Sequence, residues 1–420
     1  MLDQCRTSVS DISSIIPRLL LAFDKLTLDF VGGQISSVLS SWRRLTSDAY
    51  ILELVTGARI RFTDRVYPNT YKHKTFSVME AEFIAAEVNS LLSKRVIVTS
   101  THEDDQYISP LFLTPKKGGG HRFILNLKGL NTHVEYHHFK MCGISHILTL
   151  VSPACLMASI DIKDAYYSVP IHSCDQKYLK FMWDGVLYQF LVLPNGLSPG
   201  PRWFTKLMKP VMATLRERLF TNSIYIDDIF LLGDTMSEVN MNIVSTIELL
   251  VSLNLFPHPT KCQLQASHKL DILGFTINSL TMRVSLTSEK RDSLLEGVTT
   301  FSHRSSVKIR ELAAIVGRLV AAFPGSQFGP LFYRGLEARK QLGLQNCKGN
   351  FEASVSLDST CKAELSWWIH QLLHMSKPIL FANPRYQLYT DASNTGWGAH
   401  LKATIPQGRG VLRRALTILM

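Results

Sequence analysis

The sequence predicts an α+β fold, and three observations carry the prediction. Strand-length apolar runs concentrate between Leu111 and Leu232, amphipathic helix-length segments alternate with them, and the patterning turns to helices beyond Gly274 until a strand pattern restarts at Tyr386–Thr390. With 420 residues, 46% of them hydrophobic and 19% charged, the chain can bury more than one core, which excludes a disordered protein.

The elements follow in order. From Ile12 to Leu54 the pattern is helical with short breaks, and Gly57 to Lys74 sets Arg59, Arg61, Arg65, Lys72 and Lys74 among apolar residues. Together these form a helical and basic lead-in over 1–76. Ser77 is placed to cap a helix running to Leu92, with Val78, Ile84, Val88 and Leu91 as its apolar positions. Strands are expected at Leu111–Leu113, Phe123–Leu127, Leu156–Ile160, Leu179–Trp183 and Val186–Val192. The last two are joined by Asp184-Gly185 alone, a link that supplies the positive φ angles of a type I′ turn. A helix over Pro201–Leu219 has proline in its first turn, and Ser223–Leu232 reads as a hairpin with Asp227 and Asp228 at its tip. A helix over Ser237–Leu253 follows. Further on, Val307–Phe323 puts Ile309, Leu312, Ala313, Val316, Val320 and Phe323 on one face, with Arg310 and Arg318 opposite and Pro324-Gly325 as the stop.

The formal charge of +11 points to a polyanionic partner, because Lys and Arg that neutralise phosphates release counterions. Seven scattered cysteines with no C-x-x-C spacing argue against zinc or redox chemistry and for a reducing, intracellular compartment. The apolar stretch Ile15–Phe23 is short and interrupted by Pro17 and Arg18, so neither a signal peptide nor a membrane span is expected.

Chemistry concentrates in three carboxylates. Asp161 ends the apolar run Ala158-Ser159-Ile160, and Asp227-Asp228 lies inside Ile224-Tyr225-Ile226-Asp227-Asp228-Ile229. An isolated Asp-Asp pair ordinarily serves local turn hydrogen bonding. Flanking apolar strands and the separate Asp161 favour a different explanation. Clustered carboxylates repel one another unless a cation compensates, and Mg²⁺ prefers such oxygen ligands while leaving sites for phosphate oxygens. Two ions, Mg²⁺ with Mn²⁺ as a substitute, would clamp the attacking and leaving oxygens of an in-line phosphoryl displacement.

Seven runs in order then match a family: Ser109 to Lys117, Arg122 to Asn131, His138 to Met141, Ile160 to Ile171, Leu193 to Ser198, Tyr225 to Asp228, and Leu273-Gly274-Phe275. Over about residues 35–400 the chain resembles the reverse transcriptases of retroelements with long terminal repeats, most closely those of DIRS-type, tyrosine-recombinase retrotransposons. The resemblance implies a right-hand polymerase fold, with fingers and palm over 77–280 and a helical thumb or connection over 281–376. It implies an RNA-directed DNA polymerase that uses an RNA template, a DNA primer/template duplex and dNTPs. By the same resemblance Lys116, Lys117 and Arg122 bind the triphosphate, and Tyr166 is the aromatic gate against a ribose 2′-OH. Asn195 and Gly196 belong to the loop approaching the nucleotide, although related enzymes carry Phe or Gln where Asn195 stands. Lys261 is positioned to protonate the leaving pyrophosphate, Leu273-Gly274-Phe275 is the primer-grip turn, and Arg310 and Arg318 meet duplex phosphates.

At the C-terminus, Leu388-Tyr389-Thr390-Asp391-Ala392-Ser393 with Gly396-Trp397-Gly398-Ala399 resembles the first strand and turn of a ribonuclease H domain over 385–420. No Asp or Glu follows Asp391, so ribonuclease H activity is not expected from this chain alone, which reads as a polymerase cut from a larger polyprotein. Two other readings stay open. One is a degenerate, non-catalytic nucleic-acid-binding remnant, favoured by Asn195 and the C-terminal tail and opposed by the intact carboxylates. The other is an RNA polymerase with a similar palm, opposed by Tyr166.

Overall fold

The computed structural model describes residues 30–69, 75–115, 120–379, 386–392, 397–403 and 416–419. The chain divides into two compact units, Met1–Thr281 and Met282–Met420.

In the first unit, strand β1 (Ile97–Thr99) joins β5 (Lys180–Trp183) and β6 (Val186–Phe190) in a three-stranded sheet of order β1-β6-β5. Strands β2 (Leu111–Pro115) and β3 (His121–Leu125) form a separate antiparallel hairpin. The larger sheet has the order β7-β8-β4-β9, built from β4 (Leu156–Asp161), β7 (Thr221–Tyr225), β8 (Asp228–Gly233) and β9 (Gln263–Ser267). Strands β10 (Lys269–Ile272) and β11 (Phe275–Asn278) make a hairpin whose link, Leu273-Gly274, has φ of 52° and 77°. The two-residue link Asp184-Gly185 between β5 and β6 likewise has positive φ at both positions, 48° and 73°, as the type I′ reading requires.

Helix α1 (Val78–Ser93) begins at Ser77, whose side chain accepts from the Glu80 N–H while Glu80 reaches back to the Ser77 N–H. Helices α2 (Gly200–Glu217) and α3 (Met236–Ser252) pack against the larger sheet. Their long apolar faces explain this: α2 buries Trp203, Phe204, Leu207, Met208, Val211, Met212 and Leu215, and α3 buries Val239, Ile243, Ile247 and Leu250. Each fully buried side chain of this kind contributes about 1.5–3 kcal/mol, so the sheet is fixed from behind by these two helices.

Several sequence expectations are corrected. Within the stretch read as a lead-in, Phe30, Ile35, Trp42, Leu54, Val55 and Val66 join the same core as the strands. Its arginines form ion pairs: Arg59 with Asp175 at 2.8 Å, Arg61 with Glu53 at 3.2 Å and Arg65 with Asp105 at 3.2 Å. Strand β3 lies two residues earlier than expected, since His121 and Arg122 pair with Pro115 and Thr114 whereas Lys128–Asn131 turns into a short helix.

The second unit holds helices α4 (Ser288–Ser302), α5 (Ile309–Ala321), α6 (Arg334–Asn346) and α7 (Ser359–Gln371), with α4 on α7, α5 on α6 and α6 on α7. The face α5 buries comprises Ile309, Leu312, Ile315, Val316 and Leu319, while Val320 is 42% exposed. The expected stripe was thus rotated by about one position, because Ile315 and Leu319 face the neighbouring helices. Residues Tyr386–Ala392, Trp397–Ala403 and Leu416–Leu419 form a three-stranded antiparallel sheet. Among the described residues no helix is long and apolar enough to cross a membrane, and the six described cysteines are all free thiols.

Candidate active site

Strand β4 runs through four consecutive buried residues, Met157 to Ile160, and ends on the partly buried Asp161. The β4–β8 ladder places Asp161 directly opposite Asp228. Strands β7 and β8 pair Tyr225 with Asp228, so the two-residue link between them is Ile226-Asp227. The expected hairpin is present, but Asp228 is the first ladder residue of β8 rather than part of the tip. Ile226 has φ of 57°, a conformation that costs a β-branched residue about 1–3 kcal/mol. That strain puts Asp227 where its carbonyl accepts from the Ile162 N–H at 3.0 Å, locking the turn beside the end of β4.

The chain beyond Phe256 completes the surroundings. The Asp161 carbonyl accepts from the His258 N–H at 2.6 Å, and the Asp161 N–H approaches Cys262 Sγ at 3.4 Å. Lys261 Nζ lies 3.7 Å from Asp161 Oδ1 and is itself mostly exposed. A cleft of about 420 Å³ opens here, lined among others by Lys94, Asp161, Asp164, Tyr166, Asn195, Asp227 and Lys261.

Electrostatics mark the carboxylates as an unbalanced set. Burial, then the charges of Asp227 and Asp161, push the Asp228 carboxyl up to about 6, with Lys261 opposing. Burial and Asp161 also raise Asp227. A divalent cation is the group that would relieve this repulsion, and three carboxylates are the donors a hard ion takes. Among the described residues no group of three or more His, Cys, Asp or Glu side chains stands close enough together to hold a metal ion. The fit to such an ion rests on donor chemistry: Asp161 and Asp228 are ladder partners and Asp227 lies in the adjoining link, so all three offer carboxylate oxygens.

Tyr166 stands in a short 3₁₀ turn after β4, its ring 5.8 Å from that of Phe204 and beside Gly200 of α2. Burial is the main cause raising its hydroxyl pKa, followed by Asp227 and Tyr225. Asn195 lines the same cleft, and its side chain hydrogen-bonds the Tyr167 hydroxyl. Gly196 has φ of 98°, which favours glycine at this position. Its carbonyl accepts from Asn131 Nδ2 at 2.9 Å, and Asn131 Oδ1 accepts from the Ser198 N–H at 2.9 Å. Arg122 is exposed on β3 and does not line this cleft. Lys116 and Lys117 lie outside the described residues. In the second unit, Arg310 pairs with Glu352 and Arg318 donates to the Ser293 carbonyl. Asp391 is exposed, opposite Gly398 in its sheet.

Sequence reasoning missed Asn131, Lys94, Asp164 and Tyr167. Asn131 and Asp164 lay within quoted runs, but only the fold shows Asn131 bracing the Gly196 loop; Lys94 carried no sequence signal.

An antiparallel sheet backed by two helices, with carboxylates meeting at one end of its two central strands, is the architecture of the right-hand nucleic-acid polymerases. Comparison with known proteins narrows the class. Residues 114–277 match the family model for reverse transcriptase (RNA-dependent DNA polymerase). The chain is 24% identical over 169 residues to the transposon Tf2-3 polyprotein of Schizosaccharomyces pombe, covering 40% of this chain and 12% of that one. To polyprotein P3 of Commelina yellow mottle virus it is 24% identical over 213 residues, covering 49% and 11%. It therefore spans only about an eighth of the length of these relatives. The foamy viral protease-reverse transcriptase solved with dsDNA superposes with a TM-score of 0.64 at 18% identity, covering 99% of this chain and 79% of that one. The same protein solved with an RNA/DNA hybrid gives 0.63 at 18%, covering 86% and 46%. Residues 114–277 thus match a reverse transcriptase domain, and the chain is similar there to polyproteins of a retrotransposon and a virus.

Proposed function

We infer that this chain is the RNA-directed DNA polymerase of a retroelement, transferring nucleotides from dNTPs to a primer 3′-OH on RNA and DNA templates. The observation that carries the reading is the register that sets Asp161 against Asp228 with Asp227 in the adjoining turn. These three residues would hold two Mg²⁺ ions, or Mn²⁺, whose contribution is to lower the charge of the reacting oxygens. The protein's own groups do the rest. Tyr166 fills the space beside the incoming sugar and excludes a 2′-OH. Gly196 lets the backbone approach the nucleotide, and Asn195 contributes a polar side chain to the same wall. Lys261 hands a proton to the departing pyrophosphate. Lys116, Lys117 and Arg122, on and beside the β2–β3 link, receive the triphosphate. Residues 77–280 serve as fingers and palm and 281–376 as thumb, whose Arg310 and Arg318 meet duplex phosphates once released from Glu352 and Ser293.

The source is read as a DIRS-like, tyrosine-recombinase retrotransposon acting inside the cell, and 385–420 as the start of a ribonuclease H domain. A hybrid incubated with the chain should show no cleavage of its RNA strand; specific cleavage abolished by Asp391→Asn would overturn that part. The function itself is tested by primer extension on an RNA template with dNTPs and Mg²⁺. Wild type should extend, and the D227N/D228N variant should fall by at least about a hundredfold. Equal inactivity of both would favour the non-catalytic remnant.

A further inference from the structure

Beside the carboxylates, the wall of the cleft carries an ion pair that the reaction as described does not use. Lys94 Nζ lies 2.9 Å from Asp164 Oδ2, with the two side chains 31% and 22% exposed. Both residues line the cleft together with Asp161, Tyr166, Asp227 and Lys261. They come from different elements: Lys94 is the C-cap of α1, and Asp164 lies in the turn between Asp161 and Tyr166. The ammonium also lies 5.9 Å from the Phe30 ring, and Asp164 holds φ of 49°.

A partly exposed Lys–Asp pair of this kind is only weakly held, because solvent screens it. Lysine brings a compact charge on a flexible four-carbon stem with three rotatable donors, so its head can turn from one acceptor to another without moving the backbone. A polyphosphate entering the cleft carries several negative charges and more acceptor oxygens than a single carboxylate. It can therefore take the ammonium from Asp164.

We propose that Lys94 is a polyphosphate-binding residue of this cleft, held in place by Asp164 until the triphosphate of a nucleoside triphosphate displaces that carboxylate. Asp164 then acts as a positioning residue that keeps the ammonium in the cleft. The inference rests on the polymerase reading for its substrate, but its site is a binding site that can be assayed without turnover.

The test is calorimetric titration of the whole chain with inorganic tripolyphosphate, in parallel with primer extension. Wild type should bind, Lys94→Gln should bind about tenfold more weakly, and Lys94→Arg should stay within about threefold of wild type. Asp164→Asn, which removes the competing acceptor, should bind as tightly as wild type or more so. In extension assays Lys94→Gln should raise KM for dNTP with little change in kcat. A purely structural pair behaves differently: Lys94→Gln and Asp164→Asn weaken binding alike, both lower Tm, and the charge-swapped Lys94→Asp/Asp164→Lys variant restores both properties. Either that pattern or absent tripolyphosphate binding by folded wild type overturns the proposal. Binding with the expected ranking but without primer extension would instead overturn the polymerase reading and leave the binding site standing.

Discussion

Asp161 and Asp228 face each other across the β4–β8 ladder, although 66 residues of sequence separate them. Opposed carboxylates on adjacent strands destabilise a sheet unless something compensates, and after burial and the charge of Asp227 this opposition adds to the raised Asp228 carboxyl. Its pKa of about 6 against an ordinary 3.8 means that the folded chain holds this proton more tightly than the unfolded chain does. The associated stability is fully present below about pH 4 and is lost as pH rises through 6. In chelator-treated buffer at pH 8, Asp228→Asn should therefore be more stable than wild type by about 1 kcal/mol, after allowance for solvent screening. Thermal unfolding at pH 8 and pH 4 checks this; a gain of the same size at both values would rule it out.

Tyr166 is packed between Phe204 and the Gly200 end of α2. Tyr166→Ala opens that space without touching the carboxylates. Discrimination against ribonucleotides should fall by about tenfold or more, read from parallel extension with dNTPs and rNTPs. Unchanged sugar selectivity would remove the gate role.

Lys261 is mostly exposed and lies 3.7 Å from Asp161 Oδ1. Lys261→Gln should slow the chemical step by about a hundredfold while primer-template affinity changes little. Single-turnover extension across pH is the measurement. If only KM moved, Lys261 would be a binding residue and not a proton donor.

Asn131, the last residue of the short helix Lys128–Asn131, braces the loop holding Gly196 and Ser198 through its bonds to both. Asn131→Ala should cost about 1–2 kcal/mol of stability and, by loosening the Gly196 loop, raise KM for dNTP more than it lowers kcat. An unaltered KM together with the stability loss would confine Asn131 to a structural role.

Much of this was legible in one dimension. The Asp184-Gly185 link, the Ser77 cap, the proline-started helix over Gly200–Glu217 and the carboxylates at strand ends follow from φ preferences, capping and side-chain period, all local properties of a chain. The same local rules misplaced Asp228 at a tip, because Tyr225-Ile226-Asp227-Asp228 does not reveal which two residues turn. That depended on Ile226 accepting a positive φ under the constraint of both flanking strands.

By itself, then, the sequence determined the α+β class, the order of elements and the inventory of reactive side chains. Only the tertiary structure decided that Asp161 opposes Asp228, that Arg59, Arg61 and Arg65 are spent on ion pairs, that α5 buries Ile315 and Leu319, and that Lys94 meets Asp164 across 70 residues. The physical reason is common to all four. Each depends on which surfaces meet once distant elements have packed, and the partner of a long-range contact leaves no periodicity or turn signal in the residues that make it.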